Sequence, residues 1–307
     1  MDGQSEETAD SKPSIEGVNP SPPAERGFSF PGDESATCPK LRGMEVRLFP
    51  NAARPGVGQK PRRESQRPLL PQHARHCPVL EAGSALGFMV FPALEPHESY
   101  YIEFQGEGQY QFTYFQSNRS GKWDPLFSVL IVLPLGGIGM TREEVKFAVK
   151  DPPISADDAK LVMRALLVPE DLGTPPGAIS LRGATNFQTA PGWDTVYTPI
   201  FNMIERPVAP ALIVRVETDW YAHETEFRYV LQPGEGFPGA HTMPIGQVFF
   251  VPREEISMRD CTAQELETIR ASQQEFAEHK AAHKITTPYG LQYSPHYMRQ
   301  SLANKKP

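Results

Sequence analysis

The chain has 307 residues, 39% of them apolar and 22% charged, with 32 prolines and a formal net charge of −7. That length fits one large domain or two of ordinary size. Eight acids against three bases in the first forty residues carry most of the charge; with the rest nearly balanced, the sequence offers no basic stripe to displace counterions, which argues against DNA or RNA as a ligand. Three widely spaced cysteines, Cys38, Cys77 and Cys261, make no CxxC and no disulfide framework, and the acidic N-terminus has no apolar stretch of the signal-peptide kind. A reduced, cytoplasmic setting is expected.

Residues 1–40 are rich in Ser, Pro, Glu and Gly and poor in aliphatic side chains. They bury too little apolar area to offset an ordering entropy of roughly 1–2 kcal/mol per residue, and read as a disordered acidic tail. A β-rich domain is expected over residues 41–258. After the strand-like "MEVRLFP" comes a Pro/Arg-rich irregular segment, residues 52–72, made basic by Lys60, Arg62, Arg63 and Arg67. "LGFMVFPAL" is a nearly continuous apolar strand. "SYYIEFQGEGQYQFTYFQ" reads as two strands about a Gly106-Glu107-Gly108 loop. "PLFSVLIVLPLG" is a buried strand; with the following "GIGM" it is too short and too broken by Pro134 and glycines to span a bilayer, and "LGGIGM" is a tight turn.

A helix is expected from Ser155, with Ser155 as N-cap and Asp157 and Asp158 in the first turn. Then "AISLRGATNFQ", "DTVYTPIFNMI", "PALIVRVETDW", "TEFRYVLQP" and "IGQVFFVP" follow at spacings of about ten to fifteen residues, with Pro and Gly between them. Such a series makes a mainly β, antiparallel sandwich or jelly roll-like domain. Residues 259–307 form a C-terminal helix and tail. The helix runs from a Thr262/Glu265 capping box to about Lys284, and its face of Leu266, Ile269, Gln273 and Phe276 is expected to lie on the sheet.

The polar chemistry concentrates in "VRVETDWYAHETEF", from Val214. Strand alternation would put Val214, Val216, Thr218 and Trp220 on one face and Arg215, Glu217 and Asp219 on the other. Carboxylates so placed can form an acid/base pair in an apolar setting. Alternatively, Glu217 pairs with Arg215 or Arg228 while Asp219 caps the turn. Aromatic residues, Tyr101 among them, crowd the hairpin, and Trp193 and Trp220 stand at strand ends beside Asp194 and Asp219. Either they fill the core, or their solvent-facing members floor a groove for a peptide or flat small molecule. His223, Glu226 and His241 offer an alternative Fe(II) site on a double-stranded β-helix, although the acids stand at +1 and +3 from His223 where +2 is wanted. His73, His76 and Cys77 lack the second cluster that zinc requires. The sequence shows neither a Gly-x-Ser-x-Gly elbow nor a phosphate loop.

The segments "RLFPNAARP", "LLPQHARHCPVLEAGSALGFMVFPAL", "GWD", "VETDW", "GEGF" and "IGQVFFVPRE", in that order, resemble a bacterial domain family of unknown function with an "ETDW" strand end, DUF6065. The resemblance spans residues 44–258; the chain departs from the family pattern at "TEFRYVL" and in its long acidic N-terminus. It implies a fold and a context, in which members are natural-product or peptide-tailoring accessory proteins as often as enzymes, with the peptide-binding accessory proteins of crocagin-type ribosomal-peptide pathways as a related group, and names no reaction. The expected protein is a binding protein of natural-product biosynthesis, without a cofactor, that holds a precursor peptide or small molecule. Trp220, Trp193 and Tyr101 would stack on the ligand, Glu217 and Asp219 would fix a cationic or amide group, and Arg215 and Arg228 would orient those acids. Pathway enzymes and a second copy of the chain are the further partners it allows, with neither nucleic acid nor membrane among them. The rival readings are an Fe(II) oxygenase and a self-associating structural protein.

Overall fold

Strands dominate the chain because its apolar residues alternate and because glycine and proline interrupt them every few residues. The computed structural model describes residues 44–65, 77–134, 142–203, 209–286, 290 and 292–304. The acidic tail, Arg67, His73, His76, the "LGGIGM" turn and part of the C-terminal tail lie outside the described residues.

In chain order, β1 (Arg47–Pro50), α1 (Pro78–Ser84) and β2 (Phe88–Val90) come first. The hairpin β3 (Glu98–Gly106) and β4 (Gln109–Ser117) leads to β5 (Trp123–Val132) and β6 (Arg142–Phe147). Next are α2 (Ala156–Leu166), β7 (Ala178–Arg182), β8 (Thr185–Gln188) and β9 (Trp193–Thr198). Then follow β10 (Ala211–Leu212), β11 (Val214–Val216), β12 (Glu226–Val230), β13 (Glu235–Ala240) and β14 (Gly246–Pro252). The C-terminal part holds α3 (Ala263–Ala282), β15 (Ile285–Thr286), β16 (Gln292–Tyr293) and α4 (His296–Asn304).

All strand pairings among the described residues are antiparallel. A five-stranded sheet runs β13-β3-β4-β5-β6, a four-stranded sheet β11-β9-β14-β2 and a three-stranded sheet β10-β12-β7. The architecture is the sandwich-like, mainly β one expected from the sequence. Among the described residues no helix is long and apolar enough to cross a membrane.

Alternation on the β3–β4 hairpin decides the fate of its aromatic residues. Tyr100, Ile102 and Phe104, with Tyr110, Phe112 and Tyr114, all point inward and are buried. Tyr100 stacks on Phe112 at 5.5 Å and Tyr114 on Phe127 at 5.1 Å. From the three-stranded sheet Tyr229 meets Phe237 at 4.8 Å, and its hydroxyl donates to the Ile245 carbonyl at 2.8 Å. These rings are core, so they do not floor a groove. Tyr101 alternates to the outer face, 37% exposed, where it lies over Gly236. Gly239 stands against Tyr100 in the same way, and a Cβ at either glycine would enter a ring.

That packing explains why β13, "EGFPGA", is a strand although it reads as a turn. Its glycines make room for tyrosines, and Pro238 is tolerated because β13 is a sheet edge. β6 also escapes a reading by apolar pattern, since "REEVKF" is mostly charged. Both expected helices form, each with its capping box: Ser155 with Asp158, and Thr262 with Glu265. α2 buries Ala159, Met163 and Leu166 in the main core. α3 buries no residue and packs with α4, through Phe276 on His296 at 4.8 Å, instead of lying on the sheet. The final tyrosine-containing segment holds α4, another helix that the sequence reading does not contain.

The irregular segment after β1 is anchored by Asn51, which is 2% exposed. Its amide donates to the carbonyls of Ala165 and Gly183 at 2.9 and 3.0 Å, and its oxygen accepts from the amides of Ala53 and Arg54 at 3.0 and 3.1 Å. One side chain thus ties the end of α2, the β7–β8 turn and the loop. Beyond it, Arg54 forms a two-point pair with buried Glu98, both N–O distances being 2.8 Å. Arg62 and Arg63 lie over Phe91 and Phe88. Replacing Asn51 with Ala leaves four backbone groups without this partner. The expected loss is about 3 kcal/mol of unfolding free energy, read from urea titration of the full chain.

Candidate functional site

β11 is three residues long because Thr218 turns the chain inward. Thr218 is fully buried, with its hydroxyl 2.7 Å from that of Thr195 and 3.0 Å from that of Thr189. Pleat alternation therefore stops at Val216, and Trp220 does not share the face of Thr218. It is instead 68% exposed, and its indole N–H donates to Glu217 at 2.7 Å. The expected placement of Trp220 is corrected by this turn.

A buried carboxylate, Asp194 of β9, organises the polar residues here. It is 2% exposed, with the Nε atoms of Arg215 and Arg253 each 2.6 Å from one of its oxygens. Arg253 also pairs with Asp219 and lies 3.9 Å from Glu217. Asp219 accepts the Gly192 amide at 2.9 Å; that bond and Arg253 hold its carboxyl below the usual range. The bond to Asp219 raises the Arg253 guanidinium in turn.

The structure thus brings Glu217, Asp219, Trp220 and Arg215 together, with Trp193 half-buried at the head of β9. It changes their roles. Arg215 serves Asp194, and the partner that Glu217 and Asp219 share is Arg253. Asp219 is held by Arg253 and the Gly192 amide, and Glu217 by the Trp220 indole. Arg228 and Tyr101 lie elsewhere. Arg228 pairs with Asp171 at 2.5 Å and donates to Ser180 at 3.1 Å, and Tyr101 is on the five-stranded sheet. Arg253 escapes sequence reasoning because its place depends on β14 pairing with β9, where Pro252 stands opposite Trp193. The "VPR" ending of that strand was the available signal.

The perturbed carboxyl sits one loop further on. Glu226 opens β12 directly opposite Arg182 of β7, and Arg228 faces Ser180, so the four share one face of the three-stranded sheet. Asp171 joins them from the 3-10 turn Pro169–Asp171, and Glu224 pairs with Arg182 at 2.7 Å. Burial, then the charge and hydrogen bond of Asp171, push the Glu226 carboxyl up to about 7, against the opposing pull of Arg182 and Arg228.

His223 Nε2 is 3.8 Å from Glu226, and burial lowers its pKa more than nearby Asp171 and Glu224 raise it. Its ring stacks on Tyr221 at 5.2 Å and meets Tyr197 edge-on at 6.4 Å, while Tyr221 lies 5.8 Å from Trp220. Trp220, Tyr221 and His223 thus form a continuous aromatic run between the arginine-held acids and the perturbed carboxyl. His241 is engaged elsewhere, its Nδ1 2.6 Å from the Leu94 carbonyl. Among the described residues no three His, Cys, Asp or Glu side chains gather as metal ligands, so His223, Glu226 and His241 are not the Fe(II) set that the sequence suggested.

No protein-family model, curated protein or solved structure matches the chain.

Glu226 ionises near 7 in the folded chain, against a reference value of 4.5. Between those values the unfolded chain releases this proton while the folded chain keeps it. Its contribution to stability is therefore complete below about 4.5 and falls as the pH rises to about 7. Glu226→Gln removes that loss. The variant is expected to match the wild type at acid pH and to exceed it by about 1–2 kcal/mol above neutrality, in urea titrations at both ends of the range.

Proposed function

We propose that this chain is a binding protein for a peptide or peptide-like small molecule, seated on the Trp220–Tyr221–His223 run beside the edge strand β11. The observation that carries this reading is the state of Trp220. It is the most exposed tryptophan among the described residues, yet its N–H is held by Glu217, whose loop is fixed in turn by Asp219 and Arg253. A large flat surface that is already ordered loses little entropy on binding.

The chemistry of the flanks suits a peptide. β11 pairs with β9 on one side and is a sheet edge on the other, so an extended chain can add there through backbone hydrogen bonds. Leu212 and Ile213, 42% and 67% exposed, stand just before that edge. At the far end of the run lies the Glu226 carboxyl, raised to about 7 by burial and by Asp171. The resemblance to peptide-binding accessory proteins of ribosomal-peptide pathways supports a precursor peptide as the ligand and pathway enzymes as neighbours.

Calorimetry with short extended peptides, including any precursor peptide encoded nearby, tests the proposal. Trp220→Ala and Tyr221→Ala are each expected to weaken binding tenfold or more, about 1.4 kcal/mol, while Tyr101→Ser on the other sheet leaves the affinity unchanged. Equal affinity in wild type and both aromatic variants would remove the run from the site.

A further inference from the structure

Trp220 and Tyr221 present two large rings to solvent, 68% and 50% exposed, with centroids 5.8 Å apart and planes at 37°. The turn that carries them is closed by its own backbone. The Tyr221 amide donates to the Glu217 carbonyl at 3.0 Å, and the His223 amide to the Tyr221 carbonyl at 2.8 Å. The Glu217 carboxylate lies at the edge of the indole, where it accepts the N–H at 2.7 Å. A carboxylate in that position polarises the indole and pushes electron density toward its face. The faces of Trp and Tyr are already the negative parts of their quadrupoles, and Trp holds a cation best.

The charge balance around the run is acidic. At the near end Asp194, Asp219 and Glu217 face Arg215 and Arg253. At the far end Asp171, Glu224 and Glu226 face Arg182 and Arg228. Carboxyl groups outnumber guanidinium groups at both ends, and burial lowers the pKa of His223, so its ring adds no positive charge at neutral pH. The near-end acids differ in access. The side chains of Asp194 and Asp219 are 2% and 10% exposed, whereas that of Glu217 is 48% exposed and lies 3.9 Å from Arg253. A half-open carboxylate thus stands beside two open rings.

We infer that the ligand group seated on Trp220 and Tyr221 is a cation, the side chain of a lysine or arginine in the bound peptide, held by the ring faces and by Glu217. The inference rests on the peptide-binding reading above and gives it a substrate class, basic peptides. A lysine or arginine can lay its apolar stem on the rings and bring its charged head to the carboxylate. An apolar side chain would use the rings but strip water from Glu217 without replacing it, and an acidic one would meet like charge.

Calorimetry on the full chain at low ionic strength tests this, with blocked pentapeptides Ser-Val-X-Val-Ser in which X is lysine, arginine, glutamine or glutamate. The lysine or arginine peptide is expected to bind at least about fivefold more tightly than the glutamine peptide, and the glutamate peptide to bind most weakly. The advantage of the cation is expected to shrink as salt is added, because an exposed pair is screened. It is also expected to shrink in Glu217→Gln, whose amide oxygen can still accept the indole N–H. Equal affinity for the basic and glutamine peptides, or an advantage undiminished in Glu217→Gln, would overturn the inference. If Trp220→Ala weakens all four peptides while their charge makes no difference, the binding site stands and only the cation is wrong. If no peptide binds, or Trp220→Ala changes no affinity, the binding reading fails and the cation with it.

Discussion

A carboxylate buried to 2% exposure has to be neutralised, and Asp194 is held by two guanidinium groups. Much of the surface at this end of the four-stranded sheet follows from that requirement. Arg215 brings in β11, and Arg253 brings in the segment after β14. Arg253 has donors to spare, and they gather Asp219 and Glu217, which fix the loop after β11. Glu217 then holds the indole of Trp220. A charge inside the sheet is thereby connected to an exposed aromatic surface, through the ion pairs of Arg253 with Asp194 and Asp219 and the hydrogen bond of Glu217 with Trp220.

This dependence gives the two classes of aromatic residue different work. The hairpin rings of β3 and β4 are packed against one another and against the three-stranded sheet, where they supply burial and shape. The run Trp220–Tyr221–His223 contributes little to the core, and its geometry rests on a hydrogen bond and ring contacts. Between them lies the polar face of β7 and β12, where burial and the proximity of Asp171 raise the Glu226 carboxyl to about 7.

Elements whose signal is local were legible in the sequence. Ser155 and Thr262 announce their helices because a cap is a bond between neighbours, and the Gly-Glu-Gly turn announces the β3–β4 hairpin. β13 was not legible, because its glycines answer to tyrosines more than a hundred residues away. α1 was overlooked although Pro78 stands in its first turn, a position that proline favours. The candidate site shows the same division. The stretch from Glu217 to Glu226 stood out by composition, but alternation failed at Thr218, whose inward turn depends on Thr189 and Thr195. Arg253 was missed for want of the β9–β14 pairing, and the perturbed acid is Glu226 because Asp171 approaches it from another element.

The edges of the sheets carry one more consequence. β13 bears Pro238, which lacks an N–H, and β6 on the opposite margin bears Arg142, Glu143, Glu144 and Lys146. Features of this kind discourage a further strand from docking. On the four-stranded sheet the outer side of β2 is taken up by the bridge between Arg62 and Met89. Among the described residues, three of the four margins of the five- and four-stranded sheets thus carry such a feature, and the Val-Arg-Val margin beside Trp220 does not.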